Sequence, residues 1–166
     1  FTSLTKKYGI LHYLRLVLSV RHIFVPLVES QGGRVVKFDG DNIIATFPSP
    51  HSALSCIVTG WEQIADYNKT REKDFQLRMG CSLCYGEVLL QGTEIMGEVF
   101  ERAFHLAEEV SEVQEVLVTK NFNAHLGRSD QLDQLSFDWE VSKERSTDHK
   151  VLGKIPYYGV SLKSRK

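Results

Sequence analysis

The sequence predicts a single α+β domain, and three observations support this fold class. The 166 residues are enough for one domain with its own hydrophobic core. Helical and strand-like periodicities follow one another along the chain as helix, β-hairpin, helix, strand, helix and strand. No repeat, low-complexity tract or linker divides the chain. This order of elements is typical of a sheet with helices on one of its faces.

The N-terminal half is predicted to contain two helices with a hairpin between them. Apolar residues recur at helical spacing from Tyr8 to Ser30, where Pro26 is expected to kink or interrupt the helix and Gln31–Gly33 to end it. Two β-runs, RVVKF and NIIATF, are joined by Asp-Gly-Asp and form the hairpin. Ser49 is expected to cap a second helix that has Pro50 in its first turn.

The C-terminal half is predicted to supply the rest of the sheet and a third helix. The segment FQLRMGCSLCYGEVLLQ is a strand pair, or one long strand with a break at Tyr85-Gly86. The segment MGEVFERAFHLAEEVSE is an amphipathic helix. EVLVT is a short strand, NFNAHL a short helix, and FDWEVS and PYYGVSLK are closing strands with the polar loop KERSTDH between them. Because Phe1 lies at or inside the start of a helix, we expect a first strand to be missing.

Composition limits the possible partners. The net charge of −1 implies no general attraction to nucleic acid or to a membrane surface. No apolar run reaches the roughly 18 residues of a membrane span, and no signal peptide is visible. Cys56, Cys81 and Cys84 are an odd number without a second metal-binding pair, so we expect reduced thiols in an intracellular protein. Because the sequence opens at Phe1 without a Met, we expect it to be a piece of a longer protein, either membrane-anchored or multidomain.

The hairpin turn carries more charge than a turn requires. A tight turn needs Gly with one Asn or Asp, but this one holds both Asp39 and Asp41, and Lys37 is close by. The second acid and the lysine therefore need an explanation other than turn geometry.

The hairpin and the elements around it resemble the catalytic domains of the class III nucleotidyl cyclases, which are the adenylate and guanylate cyclases. GGRVVKFDGDNIIATF is similar to the K-x-x-G-D hairpin of that family, which follows a helix ending in Gly-Gly. Phe1-Thr2 resembles the end of the D-x-S-G-F-T opening, and Gly97 to Leu106 resembles the G-x-x-V-N-x-A-x-R-L helix. EVLVT and IPYY also match, so the resemblance covers nearly the whole chain. It implies a ferredoxin-like β-α-β-β-α-β palm with extra strands, working as a dimer.

The resemblance also implies a reaction, the conversion of ATP into 3′,5′-cyclic AMP and pyrophosphate with two Mg²⁺ or Mn²⁺ ions per site. Asp41 matches one metal-binding aspartate, and the other would lie four residues before Phe1. Lys37 matches the position that donates to adenine, and Glu94 the position that accepts from its amino group, which together favour ATP over GTP. The amides of Phe1 and Thr2 would form part of a phosphate cradle.

Three positions differ from the family pattern. Glu101 stands where the family has the Asn that orients the ribose, and His105 where it has the Arg that stabilises the charge of the transition state. This exchange matters because an arginine is always charged, whereas a histidine is mostly neutral at pH 7. Leu152 stands where the family has a phosphate-binding Lys, for which Lys154 or Lys150 is a possible substitute.

Plainer interpretations exist for each of these residues. Asp41 alone is an ordinary turn acid and Lys37 a solvated strand residue, while Glu101 and His105 are ordinary surface residues of an amphipathic helix. Asp39, where the family usually has an apolar residue or Thr, is either a turn acid or a partner of Lys37. The remaining histidines have no metal-ligand spacing and are expected to be structural: His12, His22, His51, His125 and His149.

Three hypotheses for the function stay open. The domain is an adenylate cyclase that works as a homodimer, or as a heterodimer with another cyclase domain that supplies the missing Asn and Arg. Alternatively, it is a degenerate cyclase-homology domain that pairs with an active domain and regulates it. A guanylate cyclase is the third hypothesis, which Lys37 opposes. In each case we expect a cytoplasmic domain that binds no nucleic acid and reaches a membrane only through other parts of a parent protein.

Overall fold

The computed structural model of the protein describes residues 2–126 and 137–164. Two consecutive helices begin it, α1 at Thr2–Tyr8 and α2 at Ile10–Ser30. Gly9 separates them with φ of +83°, a backbone conformation that favours glycine. Pro26 lies inside α2 without ending it, so the predicted interruption does not occur, and α2 ends before Gly32 as predicted.

The predicted hairpin is formed by two antiparallel strands, β1 at Arg34–Asp39 and β2 at Asn42–Thr46. Asp39 pairs with Asn42, which leaves Gly40 and Asp41 as the two residues of the turn. Gly40 has φ of +56°, so the glycine supplies the left-handed conformation that the turn needs.

The second predicted helix is α3, at Pro50–Asn68. The Ser49 side chain accepts a hydrogen bond from the Ser52 amide at 3.1 Å, which confirms the predicted cap. A short 3₁₀ turn follows at Lys73–Phe75. The remaining elements in chain order are β3 Cys81–Leu83, β4 Leu89–Gln91, β5 Glu94–Met96, α4 Glu98–His105 with a π-helical turn at Leu106–Val110, β6 Val116–Thr119, α5 Lys120–Leu126, β7 Phe137–Val141, β8 Arg145–His149 and β9 Gly153–Ser164.

The main sheet has five strands in the order β3-β6-β9-β7, with β8 also paired to β9. Among the described strands, only β3 and β6 are parallel, so the predicted α+β fold is confirmed and its sheet is mostly antiparallel. The hairpin β1-β2 and the hairpin β4-β5 are separate two-stranded sheets.

Two strand predictions need correction. The segment KERSTDH, predicted as a polar loop, contains β8, which pairs with β9 through His149 and Gly153. Its polar composition hid the strand because its side chains are mostly exposed, while backbone pairing with β9 fixes its conformation. The predicted strand pair around Tyr85-Gly86 is present as β3 and β4, but β3 pairs with β6 and β4 with β5.

The core lies on both faces of the main sheet, and β6 is buried along its whole length. Val116 and Val118 face a cluster that includes residues of α2, α3 and α5. Leu117 points to the other face, where it packs with Leu106 and Ile155. Three helices therefore cover one face of the sheet as expected, and the π-helical turn after α4 covers part of the other.

The three cysteines are free thiols inside this core. Cys81 packs against the α2–α3 side and Cys84 against the other side, as the alternation of a strand predicts. Burial raises the pKa of the Cys56 thiol to about 11 and the pKa values of Cys81 and Cys84 to about 12. All three thiols are therefore protonated and poorly nucleophilic at neutral pH.

Helix α2 meets the length and composition of a membrane-crossing helix, with 21 residues and a mean hydropathy of 1.3. The expectation that no apolar run reaches the length of a membrane span did not allow for charged residues, of which these criteria accept two in a window of 18. In the structure α2 packs beside α3 and contributes Phe24 and Val28 to the core. Core helices of water-soluble proteins and signal sequences near an N-terminus meet the same criteria, and 17% of the most apolar window of α2 is buried in the structure.

Candidate functional site

The turn that carries Asp41 is fastened to the side of α2. Arg21 of α2 donates a hydrogen bond from Nη2 to the carbonyl oxygen of Gly40 at 2.7 Å. The same guanidinium lies 4.1 Å from the centre of the Phe38 ring. Arg21 therefore contacts β1 and the turn at once, and it holds the tip of the hairpin on the helix.

A second residue of α2 reaches the carboxylate itself. The Tyr13 side chain lies close enough to the half-buried Asp41 for the two groups to interact. Burial raises the pKa of Tyr13, and the charge and hydrogen bond of Asp41 raise it further, while Arg21 nearby lowers it. Tyr13 thus stays a hydrogen-bond donor at neutral pH.

The structure brings together Lys37 and Glu94, the two residues that the resemblance assigns to adenine recognition. Lys37 Nζ lies 3.6 Å from Glu94 Oε2, and the two side chains are 25% and 65% exposed. Arg34 donates to the carbonyl oxygen of Gly92 at 3.3 Å, which holds the β4-β5 hairpin against β1. The ion pair of Lys37 is with Glu94, whereas Asp39 is an exposed residue that closes the turn opposite Asn42.

A groove of about 380 Å³ begins beside Asp41. The strands β2 and β3, the helices α2, α3 and α4 and the π-helical turn after α4 line it. Asn42 donates a hydrogen bond from Nδ2 to Glu108 Oε1 at 2.5 Å, so a second carboxylate lies at this end of the groove. The sequence analysis did not identify Glu108, because it comes from the π-helical turn, far from the hairpin in sequence.

Helix α4 presents two different faces. Phe100 and Phe104 line the groove, and Lys37 Nζ lies 5.8 Å from the Phe100 ring centre. His105 instead faces β8, where its Nε2 lies 3.4 Å from Thr147 Oγ1. Glu101 is exposed one helical turn before His105, on the same side of the helix. Asp41 and His105 are therefore held on different sides of α4.

His149 packs against His105. Nothing in the sequence indicates this contact. The two imidazole rings are 4.9 Å apart and meet edge to face at 80°. His149 Nδ1 accepts hydrogen bonds from the amides of Val151 at 3.3 Å and Leu152 at 3.1 Å. The second histidine thereby joins α4 to the turn between β8 and β9.

That turn contains the remaining predicted positions. Leu152 is half-buried and packs against the cluster of Leu106 and Ile155, so its side chain is part of the core. Lys154 is exposed on β9 and pairs in register with Asp148. Two predicted phosphate-binding residues are not tested by this geometry, because Phe1 lies outside the described residues and the Thr2 side chain is not described.

The same residues offer few ligands for a metal ion. Within 2–126 and 137–164, no group of three or more His, Cys, Asp and Glu side chains could hold a metal ion. A magnesium ion needs only one or two carboxylates when substrate phosphates and water complete its coordination. Asp41 therefore suits one ion bound together with a nucleotide, but the described residues do not complete a two-metal site.

The fold is that of adenylate and guanylate cyclase catalytic domains. The guanylyl cyclase Cya2 aligns with a TM-score of 0.76 and 14% identity, covering 99% of this chain and 88% of that one. The adenylyl cyclase CyaB of P. aeruginosa aligns at 0.71 and 16% over 99% and 89%. An adenylate/guanylate cyclase/hydrolase of Silicibacter pomeroyi aligns at 0.69 and 19% over 88% and 82%. The expected ferredoxin-like cyclase palm is thus confirmed.

One curated protein is similar in sequence. It is the serine/threonine-protein kinase pkn2 of Myxococcus xanthus, which is 26% identical over 130 residues, or 78% of this chain. The chain spans only 16% of the length of that relative. No family model matches the sequence.

Proposed function

We propose that this chain is an adenylate cyclase domain that converts ATP into 3′,5′-cyclic AMP and pyrophosphate. The observation that supports this most is the Lys37–Glu94 pair at 3.6 Å, in which Lys37 lies on the same hairpin as Asp41 and Glu94 on the adjoining β4-β5 hairpin. A base-reading pair and a carboxylate for phosphate-bound cations then lie in one region of the surface. The cyclase fold of the chain is consistent with this chemistry.

The pair suits the Watson–Crick edge of adenine. Lys37 is a donor only and suits the acceptor N1, while the Glu94 carboxylate accepts from the amino group. Guanine has its acceptor O6 where adenine has the amino donor, so the order of the two residues along the base edge decides between the nucleotides. Both ATP and GTP must therefore be tested.

A complete site requires two domains. Lys37, Glu94 and Asp41 gather at the hairpin, whereas Glu101 and His105 lie on a different side of α4. In a dimer, the hairpin of one domain would bind the base and the phosphates, and α4 of the other would supply His105. There His105 would donate a hydrogen bond to the phosphate oxygens, and Lys154 is positioned on the neighbouring hairpin.

The proposal includes Mg²⁺ or Mn²⁺, two per site. The chemistry that such ions supply is activation of the ribose 3′-oxygen and neutralisation of the phosphates. Asp41 would hold one ion, and a further carboxylate from outside the described residues would be needed for the second. We place the reaction in the cytoplasm, with membrane contact only through other parts of a parent protein.

The groove between β2 and β3 supports a further strand, supplied by a segment that precedes Phe1 in a longer protein. Among the described strands, β2 pairs only with β1 and β3 only with β6, so each has an open edge at this groove. Apolar side chains of α2 and α4, such as Phe24 and Phe104, cover the groove from either side. An extended apolar segment would pair with both edges and would be buried on both faces.

A second candidate function is regulation of a partner cyclase domain without catalysis. The observation that favours it is the packing of Leu152 into the core, since no cation stands at this position. In that case the domain would pair through the same surfaces and bind the nucleotide only weakly.

Cyclic nucleotide production tests the proposal. The protein, both as it stands and extended upstream of Phe1, is supplied with ATP or GTP and Mn²⁺, beside an Asp41→Ala variant. We expect cyclic AMP from ATP that disappears in the variant. Formation of cyclic GMP from GTP, without cyclic AMP from ATP, would indicate a guanylate cyclase. No product from either nucleotide would contradict the proposed catalysis and leave the regulatory function.

A further inference from the structure

We propose that the outer face of α2 is a contact surface for a second copy of this chain, with the two α2 helices parallel. The surface is centred on Leu11, Leu14 and Leu18, which we call the leucine row. None of these leucines belongs to the candidate site, so the inference goes beyond the proposed reaction and does not depend on it.

The leucine row is exposed although α2 is a core helix. Leu11, Leu14 and Leu18 are 79%, 42% and 59% exposed, while the opposite side of α2 contributes Phe24 and Val28 to the core. Residues spaced by three and four positions form one line along a helix. The outer face of a surface helix is normally polar, and adjacent exposed apolar side chains mark contact with a protein or a membrane.

The spacing of the leucine row is that of two paired helices. Leu11, Leu14 and Leu18 take the places of positions a, d and a of a heptad, the pattern with which helices pack side by side. The row covers about two helical turns, which is small beside the roughly 20–30 residues that each partner contributes to a standard interface. We therefore expect association that depends on the protein concentration.

The two edges of the leucine row differ in charge. Around the helix axis, Arg15 lies about 60° to one side of Leu18 and Arg21 about 60° to the other. Arg15 is exposed. Arg21 donates to the carbonyl oxygen of Gly40 at 2.7 Å, so the hairpin turn with the exposed Asp39 lies along the second edge. One edge is therefore cationic, and the other is bordered by a carboxylate of the hairpin.

These edges select both the occupant and its orientation. When a two-fold axis runs parallel to the helices, the Arg15 edge of each chain faces the hairpin edge of the other chain. An antiparallel pair would instead bring the two Arg15 edges together. Charges beside an apolar seam set the partner and the direction of paired helices, so a parallel second copy is favoured. An anionic membrane fits less well, because Asp39 would face charge of its own sign.

The first test measures self-association of the whole chain by sedimentation velocity over a range of concentrations, without nucleotide. We expect Leu14→Glu and Leu18→Glu each to lower the weight-average mass at the highest concentration about two-fold, whether the wild type is a pair or a pair of pairs. The control is Val151→Glu, at an apolar residue that is 85% exposed on the turn between β8 and β9. It should associate like the wild type. Melting temperatures show that each variant is folded.

The second test addresses the charged edges. Arg15→Glu should raise the dissociation constant of the pair about 5-fold, the upper range for an exposed ion pair. Combining it with Asp39→Arg should restore the wild-type value, because the two charges are then exchanged. A double variant no tighter than Arg15→Glu would overturn the assigned orientation.

The third test addresses the direction of the helices. Leu18→Cys alone should form a disulfide between chains under mild oxidation, because equal positions meet in a parallel pair. The native cysteines give little background, since burial raises the pKa values of their thiols to about 11 or 12. Disulfides that form only in an equal mixture of Leu11→Cys and Leu18→Cys would show an antiparallel pair and overturn the proposal.

Two further outcomes would overturn it. One is a wild-type protein that stays monomeric at every concentration, or whose mass Leu14→Glu leaves unchanged. The other is sedimentation with vesicles of phosphatidylcholine and phosphatidylserine that Leu14→Glu abolishes, in a protein that does not self-associate, which would assign this face to a membrane. Association as expected without any cyclic nucleotide formation would contradict the proposed function and leave this inference standing.

Discussion

At the scale of single residues, the ion pair between Lys37 and Glu94 has the most direct chemical consequence. Lys37 is mostly buried while Glu94 is mostly exposed, so the lysine is the more firmly placed of the two. A surface pair of this kind contributes little to stability. Its value is therefore expected in recognition of a ligand rather than in folding.

Reversal of the lysine charge is the first prediction. Lys37→Glu should lower kcat/KM for ATP about 10- to 100-fold, because a charge-assisted hydrogen bond worth about 1.5–3 kcal/mol is lost and two carboxylates then face each other. Steady-state kinetics with ATP and GTP provide the measurement. Lys69→Glu, at an exposed lysine that pairs with Asp66 on α3, is the control and should behave like the wild type. Unchanged ATP kinetics in Lys37→Glu would exclude Lys37 from base recognition.

At the scale of elements, the junction of α1 and α2 is tied to the 3₁₀ turn by one carboxylate. Asp74 Oδ2 accepts hydrogen bonds from Lys7 Nζ and from the Tyr8 hydroxyl, both at 2.7 Å. The ring of His12 packs against the rings of both Tyr8 and Phe75. The ring centres are 4.8 Å apart for His12 and Tyr8 and 4.7 Å apart for His12 and Phe75. This cluster fixes the start of α2 and thereby the helix that carries Tyr13 and Arg21.

The second prediction concerns the pH dependence of this junction. The hydrogen bonds from Lys7 and Tyr8 hold the pKa of Asp74 below its usual range. A lowered pKa means that the contact stabilises the fold above about pH 4 and is lost as pH falls through the folded-state pKa. Limited proteolysis near Gly9 should therefore accelerate on acidification. Asp74→Asn should be cleaved rapidly at every pH, and a wild-type rate that does not change with pH would contradict the role of Asp74.

The elements also show what sequence reasoning can reach. The helices, the Ser49 cap and the hairpin were predicted because periodicity and turn residues are local signals. Strand β8 was missed because its residues are polar and only its pairing with β9 makes it a strand. A short polar segment carries no periodicity from which that pairing could be inferred.

The residues of the candidate site likewise fall into those that the sequence predicted and those that it did not. Lys37 and Glu94 were assigned to adenine recognition through the resemblance of their positions to a known motif; the structure places them 3.6 Å apart, and their role stays a prediction. Tyr13, Glu108 and His149 were not found, since each reaches the site from another element through a contact that depends on the tertiary fold. No spacing in the sequence encodes such contacts.

At the scale of the whole molecule, the two sets of candidate residues lie on different sides of α4. A single chain therefore does not unite Asp41 with His105, and a functional site would have to be shared.

The third prediction is complementation between two inactive variants. Asp41→Ala and His105→Ala should each have little activity, because each would disable both sites of a homodimer. Mixing equal amounts should restore about a quarter of the wild-type activity, since half of the dimers would be mixed and each would have one intact site. The measurement is cyclic AMP formation after mixing, with each variant shown to be folded and dimeric. No recovery would contradict a shared site.

The separation of the two half-sites on α4 also governs how many chains can join. If a two-fold axis relates two chains, both half-sites of each are used and growth stops at a pair with two equivalent sites. If the contact is head to tail, every added chain leaves one half-site open at each end, and the assembly grows as a ring or an open filament. The number of complete sites per chain is one in the closed pair and in the ring. It is below one in a short filament, because the half-sites at the two ends have no partner.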